Sequence, residues 1–389
     1  MHCDKIGIKC HVKDKILAPL YEFRRNNPNN LGEIGNIKFM EVSNFFAQAS
    51  LVKYKNVYTC SRCVSFGDIH ADFLVLLTLL RLANLIDDTG NWTGSNTIVV
   101  FTGDLLDRAG REDPKKGSNT SNNHREEVDI VQYLYFLNLQ ARQVDGGVVA
   151  VVGNHDIARV FWKEMKNSYS KYIGDQNIGW GTHMNKMFEP GGLMAVFMAY
   201  NYPFIVKVNN FIFMHGGPTP EIINKISKKV QPNYVISFLN KTLFRMFNLP
   251  NSKISEIIMM LVHERQFSKP VKKSIEEKDC IKNIQTLLHN FGVKDPLNGG
   301  FVIGHSIQEK IETYCDGFVW RIDLGMSEAF GRKIDGLHSL GGILIKSDPT
   351  VSVTSFQTYS GSDEIIFTCY DKEKNKCYSI PSDKLELFP

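Results

Sequence analysis

Apolar and polar positions follow two different periods along most of this chain. Short runs rich in Val, Ile and Phe are typical of buried strands, and stretches with helical periodicity separate them. The predicted strands are Cys63–Phe66, Thr97–Thr102, Gly147–Val152, Phe204–Val208, Phe211–Met214, Phe301–Ile303, Phe318–Ile322 and Gly341–Ile345. The predicted helices are Phe73–Ile86, Glu126–Arg142 and Phe161–Ile173. Strands that alternate with helices indicate an α/β fold, with a parallel or mixed sheet covered by helices on both faces.

The regular alternation also divides the chain into segments. Residues 1–55 mix charged and aromatic side chains without a clear period, which predicts an N-terminal extension packed on the main body. The main domain is predicted over 56–346, with helical insertions at about 157–200 and 219–298. Residues 347–389 alternate like short strands and predict a β-rich C-terminal tail. The polar segment 109–125, rich in Gly, Ser and Asn, predicts a mobile surface loop.

Composition narrows the classes of function. The chain has 389 residues and 43% apolar residues, and its net charge is only +4, which gives no indication of nucleic-acid or membrane binding. No apolar stretch reaches eighteen residues, and the N-terminus lacks the pattern of a secretory signal, so we expect a cytoplasmic protein. Its eight cysteines are therefore expected to be reduced thiols. Cys60 and Cys63 form a CxxC, which could be half a zinc site or a redox pair, although no partner motif stands at zinc-site spacing.

The decisive feature is the residue type that follows five of the predicted strands. In an open α/β sheet, ligands bind at the carboxyl ends of strands. Here each of those ends carries a glycine beside side chains that can bind metal, in the motifs GDIHAD, GDLLDR, GNHD, HGG and GHS. The metal-competent residues are Asp68, His70, Asp104, Asn154, His215 and His305. Each motif alone is weak, but their joint occurrence predicts a metal site.

These ligand types indicate two divalent cations. Carboxylate, imidazole and amide groups suit Mn, Fe, Zn or Mg, with manganese expected. Asp68, His70 and Asp104 can hold one ion, and Asp104, Asn154, His215 and His305 can hold a second. Asp104 would then bridge the two ions. The positive charge of two such ions exceeds the negative charge of two aspartates and a bridging hydroxide. The site therefore keeps a net positive charge and suits an anionic phosphoryl group.

The five motifs resemble the signatures of calcineurin-like metallophosphoesterases. The DR of the second motif is similar to the phosphoprotein phosphatase branch, and the stretches 190–217 and 321–333 resemble its Shewanella-like members. The resemblance covers about residues 57–345 and implies a four-layer α/β/β/α sandwich with a dinuclear site on one edge. Two positions depart from the phosphoprotein phosphatases: Ala71 replaces the usual glycine and Asp156 the usual glutamate. Neither is a ligand.

Catalytic roles follow from neighbouring residues and from the resemblance. His155, directly after the ligand Asn154, is predicted to protonate the leaving oxygen, and Asp107 resembles the family aspartate that orients this histidine. Arg108 is expected to bind the phosphate. The resemblance implies a second phosphate-binding arginine between the last two histidine motifs, for which Arg265 is the candidate.

Three further residues have acidic or imidazole side chains but are not expected to bind metal. His263 is not expected to be a ligand, and Asp323 is a possible partner at the edge of the site. His338, like the N-terminal histidines, belongs to no constellation and is interpreted as structural.

These expectations combine into a metal-dependent phosphomonoesterase, in which a metal-bridging hydroxide attacks phosphorus in line with the leaving group. The expected substrate is a phosphoprotein carrying phosphoserine, phosphothreonine or phosphotyrosine, or a small phosphate ester. One alternative is a dinucleoside polyphosphate or nucleotide phosphohydrolase, which would share the metal ligands. The other is a non-catalytic binding scaffold, which the intact set of six ligands disfavours.

Overall fold

A computed structural model describes residues 33–34, 37–38, 45, 49, 54–108, 124–169, 186–268, 276–330, 340–347, 352–358, 365–371 and 376–379. Its strands are β1 (Glu33–Ile34), β2 (Ile37–Lys38), β3 (Val57–Tyr58), β4 (Arg62–Phe66), β5 (Ile98–Phe101), β6 (Gly147–Ala150), β7 (Ile205–Val208), β8 (Phe211–Met214), β9 (Gly300–Ile303), β10 (Glu312–Tyr314), β11 (Val319–Arg321), β12 (Gly341–Lys346), β13 (Ser352–Thr358), β14 (Ile365–Asp371) and β15 (Lys376–Ser379). Its helices are α1 (Phe73–Leu82), α2 (His124–Arg142), α3 (Asn154–Val160), α4 (Trp162–Tyr169), α5 (Leu193–Asn201), α6 (Pro220–Ser227), α7 (Pro232–Asn248), α8 (Glu256–Val262) and α9 (Glu276–Asn290).

The strands form two large sheets and one small hairpin. Seven strands lie in the order β15-β14-β13-β12-β4-β5-β6, and six lie in the order β10-β11-β9-β8-β7-β3. In the first sheet β4, β5 and β6 are parallel, and β12 joins them antiparallel to β4. In the second, β8 and β9 are parallel and β7 is antiparallel to β8. The sequence pattern alone predicts one sheet, whereas the sandwich implied by the resemblance needs the two that are present.

Alternation along the strands explains the layers. On β5, Ile98 and Val100 belong to a buried cluster that they share with Phe213 and Val302 of the other sheet. The intervening Val99 belongs to a second cluster, which contains the apolar faces of the helices. Because neighbouring strand residues point to opposite faces, each sheet contacts the other sheet on one face and helices on the other. The predicted four-layer α/β/β/α sandwich is confirmed.

The segment predicted as the second helical insertion is anchored to the six-stranded sheet by one buried side chain. Asn240 of α7 accepts hydrogen bonds from the backbone N–H groups of Phe204 and Ile205, and it donates to the carbonyl of Ile205. Its amide also donates to the side chain of Asn56. The asparagine thereby pairs the backbone at the start of β7 with a helix instead of a strand.

Several elements differ from the sequence-based expectations. The segment predicted as a tail adds β13, β14 and β15 to the edge of the seven-stranded sheet. The pattern does not predict α3, which begins at Asn154 within the GNH motif, and the described part of the predicted helix Phe161–Ile173 corresponds to α4. Most of the predicted loop 109–125 lies outside the described residues, as do 170–185 of the first insertion. Among the described helices, none is both long and apolar enough to cross a bilayer.

The expectation that all cysteines are thiols is wrong for one pair. Cys280 of α9 and Cys315, in the turn between β10 and β11, form a disulfide with a Cα–Cα distance of 5.7 Å. Sequence spacing does not reveal this pair, because 35 residues and several elements separate the two positions. Cys60 and Cys63 are free.

Candidate metal centre

The six predicted ligands lie at the edges of the two sheets where their parallel strands end. Asp68 and His70 follow β4, and Asp104 follows β5. His215 follows β8 directly, and His305 follows β9. Strand ends from both sheets therefore converge on one place, as the motif spacing predicts.

The turns after the strands hold non-glycine residues in left-handed backbone. His70, Asp104, Asp107 and His305 have φ values of +45°, +48°, +69° and +66°. Such backbone is costly for residues other than glycine and concentrates at functional sites. The chain thus bends sharply at four residues whose side chains belong to the predicted site.

Glycine is required at two of the motif positions by close approach. A Cβ at Gly153 would lie 2.1 Å from Oδ1 of Asp104, and a Cβ at Gly304 would lie 2.3 Å from Oδ1 of Asp68. Both distances are far below van der Waals contact. The glycines of GNH and GHS therefore allow a neighbouring segment to pack directly against a carboxylate.

Two overlapping groups of side chains have the geometry of metal ligands. Asp68, His70 and Asp104 form one group, and Asp104, His215 and His305 form the other. Within each group the ligand atoms lie within 4.8 Å of one another, and all five residues are buried. Asp104 belongs to both, with its Oδ2 lying 3.7 Å from Nε2 of His70 and 3.3 Å from Nε2 of His215. Asp104 is therefore the one residue that the two groups share.

Backbone carbonyls orient two of the imidazoles. Nδ1 of His215 lies 2.8 Å from the carbonyl oxygen of Thr102, and Nδ1 of His70 lies 3.3 Å from that of Leu106. Because a carbonyl only accepts, Nδ1 is the donor in each contact, and the neutral form of each ring would present the lone pair of Nε2 to a metal ion. A second-sphere carbonyl of this kind is usual for histidine ligands. Asn154, the sixth predicted ligand, places its Oδ1 2.8 Å from Nε2 of His215.

His305 provides a separate sign that the centre suits a cation. Its Nε2 is buried and has no hydrogen-bond partner. Burial, with the charges of His215 and Arg265, lowers the pKa of His305 to about 2, so the ring is neutral. A buried acceptor without a partner is unfavourable in a folded protein, and a metal ion would satisfy it. The residues present therefore fit a divalent cation.

Asp104 is ionised despite being buried. Burial by itself would raise its pKa, but the nearby His215, His155 and His70 together lower it well below the ordinary value. The same carboxylate raises the pKa of His215, whose burial acts in the opposite direction. Asp104 also accepts the N–H of His155 at 2.8 Å. The centre thus holds a negative charge where a shared ligand would be needed.

His155 and Asp107, predicted as acid and orienting residue, are in direct contact. Nδ1 of His155 lies 2.6 Å from Oδ2 of Asp107. The ring of His155 meets that of His70 edge to face at 5.1 Å, and His70 also contacts Phe330 at 5.2 Å. His155 is therefore fixed beside the ligands by a carboxylate on one side and an imidazole on another.

The two predicted phosphate-binding arginines have different surroundings. Arg108 is buried and forms an ion pair with Glu126. Arg265 is exposed, and its Nη1 donates to Oγ of Ser306 at 2.8 Å and to the carbonyl of His305 at 3.2 Å. Arg265 therefore lies at the open side of the centre, next to a ligand.

Two of the residues that the sequence does not predict as ligands, His263 and Asp323, lie close to the centre. His263 is 5.9 Å from His305 between ring centroids, and its Nδ1 lies 2.9 Å from the carbonyl of Met259. Asp323 is buried, its carboxylate accepts the N–H of Gly325 at 2.8 Å, and its backbone packs against Gly67. Neither belongs to a ligand group found among the described residues. His338 lies outside the residues that the structure describes.

Sequence reasoning missed a group of buried charges behind the motifs. Glu126 and Glu127 of α2 and Arg159 of α3 are all buried and contact the residues of the DR pair or one another. Acidic residues in the first turn of a helix are common because they complement its dipole. The sequence signal was therefore indistinguishable from ordinary helix capping.

Comparisons with known proteins agree with this geometry. The sequence profile of the calcineurin-like phosphoesterase family matches residues 62–271, more than half of the chain. The chain is 26% identical over 285 residues to Shewanella-like protein phosphatase 1 of Plasmodium berghei, covering 71% of this chain and 70% of that protein. It is 33% identical over 99 residues to Shewanella-like protein phosphatase 2 of Arabidopsis thaliana, which covers 25% of this chain and 22% of that protein.

Solved structures show the same fold. The cold-active protein-tyrosine phosphatase of a psychrophilic Shewanella species is 18% identical, with a TM-score of 0.53, over 85% of this chain and 83% of that chain. The matched profile spans four of the five motifs, and the fold brings the fifth, at His305, to the same centre. The chain belongs to the calcineurin-like phosphoesterase family.

Proposed function

We propose that this protein is a dinuclear metal-dependent phosphomonoesterase that acts on phosphoproteins, with manganese as the metal. The observation that most strongly supports this proposal is that Asp104 belongs to both buried ligand groups. The unpartnered Nε2 of His305 in one of those groups supports the same proposal. Two divalent ions at such a site supply an acidified water and positive charge for phosphoryl oxygens.

The protein's own residues would bind the phosphate and move the proton. Arg265 is exposed beside His305, so its guanidinium can bind a phosphoryl oxygen. Arg108 is proposed to do the same from the opposite motif, with Glu126 fixing its orientation. His155 would donate a proton to the leaving oxygen, while Asp107 holds its Nδ1.

A protein substrate is supported by the relatives. Both the Plasmodium and the Arabidopsis proteins are named protein phosphatases. The phosphorylated side chains of proteins are alkyl or aryl phosphate esters, and both types present the same phosphoryl group to the centre. We therefore propose hydrolysis of phosphoserine, phosphothreonine or phosphotyrosine in proteins.

A metal-reconstituted assay tests this proposal. Metal-free protein is loaded with Mn²⁺ and given phosphoserine, phosphothreonine and phosphotyrosine peptides, p-nitrophenyl phosphate and a dinucleoside polyphosphate. We expect the phosphopeptides to give the highest kcat/KM. Preference for the dinucleoside polyphosphate would instead favour the nucleotide phosphohydrolase alternative.

The matched control is Asp104→Asn, which keeps the shape of the shared ligand and removes its charge. Turnover should fall by more than about 100-fold, since even partners of metal ligands cost 10–100-fold. Mn²⁺ should raise the melting temperature of the wild type and leave that of the variant nearly unchanged. Unchanged turnover in Asp104→Asn would favour the non-catalytic scaffold.

A further inference from the structure

Two consecutive buried glutamates at the start of α2 hold the two consecutive residues of the DR pair. The carboxylate of Glu126 accepts a hydrogen bond from Nη1 of Arg108. Oε1 of Glu127 accepts the backbone N–H of Asp107 at 2.8 Å. Glu127 is only 1% exposed. A carboxylate in such a place is costly to bury, so its hydrogen bonds determine whether it is tolerated.

The second oxygen of Glu127 extends the contact to a different motif. Nε of Arg159 lies 3.3 Å from Oε2 of Glu127. Arg159 is on α3, four residues after His155, so the two residues lie one turn apart on the same helix. The guanidinium of Arg159 also packs over the ring of Phe188 at 4.5 Å, which fixes its position.

These contacts form a closed cycle that begins and ends at His155, the predicted acid. His155 contacts the carboxylate of Asp107, the N–H of Asp107 contacts Glu127, Glu127 contacts Arg159, and α3 connects Arg159 back to His155. Asp107 stands in left-handed backbone with φ of +69°. That conformation is less favourable for a residue other than glycine, so the surrounding contacts help to maintain it.

We propose that Glu127 is a positioning residue that holds the Asp107–His155 pair at the geometry needed to protonate the leaving group. This inference rests on the proposed function, in which His155 is the acid. Glu127 acts through the backbone of Asp107 and through α3, without contacting the substrate. Its loss would leave the ligand groups in place but loosen the acid.

The leaving group provides a readout that a purely structural role would not change. The alkoxide of phosphoserine is a poor leaving group and needs a proton, whereas p-nitrophenolate leaves well without one. In Glu127→Gln, one amide oxygen can still accept the Asp107 N–H, but the amide nitrogen cannot accept from Arg159. We expect kcat to fall about tenfold or more on a phosphoserine peptide and less than about threefold on p-nitrophenyl phosphate.

Two reference variants make the result interpretable. His155→Asn should show the same dependence on the leaving group, with a larger fall in kcat on the phosphoserine peptide. A general acid increases the reaction rate by about 100–10,000-fold. Glu312→Gln is the matched control, because Glu312 also accepts from a buried arginine, Arg321, and neither residue belongs to a ligand group or contacts the DR pair in the structure described. It should leave kcat on both substrates unchanged.

The outcomes separate this inference from the proposed function. If His155→Asn depends on the leaving group and Glu127→Gln loses activity equally on both substrates, the positioning role is refuted and the function stands. If His155→Asn itself shows no dependence, the assignment of the acid is wrong. Should Glu127→Gln fail to fold, Arg159→Met removes the donor to Glu127 from the other side of the contact, and the same substrate dependence is required of it.

Discussion

Several residues at the centre have an unfavourable backbone conformation that directs their side chains toward the site. His70, Asp104 and His305 lie in left-handed conformations, as does Ala71 with φ of +52°. Phosphoprotein phosphatases usually have glycine at the position of Ala71, and the positive φ explains why glycine suits it. The sequence identifies these residues by type, but their backbone angles follow from the packing of neighbouring segments and cannot be derived from it.

A residue-level prediction concerns the pH dependence of stability. Burial raises the pKa of Glu127 from an ordinary 4.5 to about 7, against the opposing effect of Arg159. A carboxyl whose pKa is raised by folding contributes stability below the unfolded value, and that contribution is lost as the pH rises through the folded value. Between pH 5 and 8, metal-free wild type should lose roughly 2–3 kcal/mol of unfolding free energy relative to Glu127→Gln.

Urea denaturation of both metal-free proteins across this pH range measures the difference. The substitution also weakens the contact with Arg159, which shifts the stability of Glu127→Gln by an amount that does not vary with pH. The slope is therefore the observable. A difference between the two proteins that does not change with pH would contradict the raised pKa of Glu127.

At the scale of elements, the strand ends were the predictable part of the site. Each motif follows a run of β-branched and aromatic residues, and in the structure a strand ends within four residues before each first ligand. Periodicity reports burial, but it does not report which strands pair. It therefore could not show that His215 and His305 belong to a different sheet from Asp68 and Asp104. The helix that opens at Asn154 was missed because its first turn is also the ligand motif.

An element-level prediction follows from Asn240, which anchors α7 to β7. Asn240→Ala would leave the buried N–H groups of Phe204 and Ile205 without their acceptor. Each unsatisfied buried group costs about 1–3 kcal/mol, so the unfolding free energy should fall by about 2–4 kcal/mol. Thr242→Ala, on the exposed side of the same helix, should change it by less than about 0.5 kcal/mol.

Urea denaturation monitored by fluorescence compares these two variants with the wild type. Equal stability of the two variants would show that the contact between α7 and β7 does not depend on Asn240. Since Asn240 lies outside the candidate metal centre, the Mn²⁺-dependent turnover of folded Asn240→Ala should remain near the wild-type value.

At the scale of the whole molecule, the predicted architecture depended more on the family resemblance than on periodicity. Alternating strands and helices predict an α/β fold, and two sheets rather than one were expected only from the motifs' resemblance. Long-range pairings are set by packing that the local pattern does not encode. The Cys280–Cys315 disulfide is the clearest example, because nothing in the spacing of the eight cysteines indicates it.

That disulfide gives a whole-molecule prediction. A disulfide that closes a loop of 35 residues lowers the conformational entropy of the unfolded chain. In the loop-entropy treatment this raises the free energy of the unfolded state by about 3–4 kcal/mol. Cys280→Ser should lower the unfolding free energy by about that amount, and reductant should then have no further effect on it. Thiol titration of the native wild type should find Cys280 and Cys315 unreactive. Full reactivity of both would refute the bond.

The division of the ligands between the sheets has a consequence for how the centre assembles. Asp68, His70 and Asp104 all follow strands of the seven-stranded sheet, so that sheet alone can complete one ligand group. The other group needs His215 and His305 from the six-stranded sheet and exists only when the two halves of the sandwich are docked. Cation binding at the second group should therefore depend on the contact between the two sheets, whereas binding at the first should not.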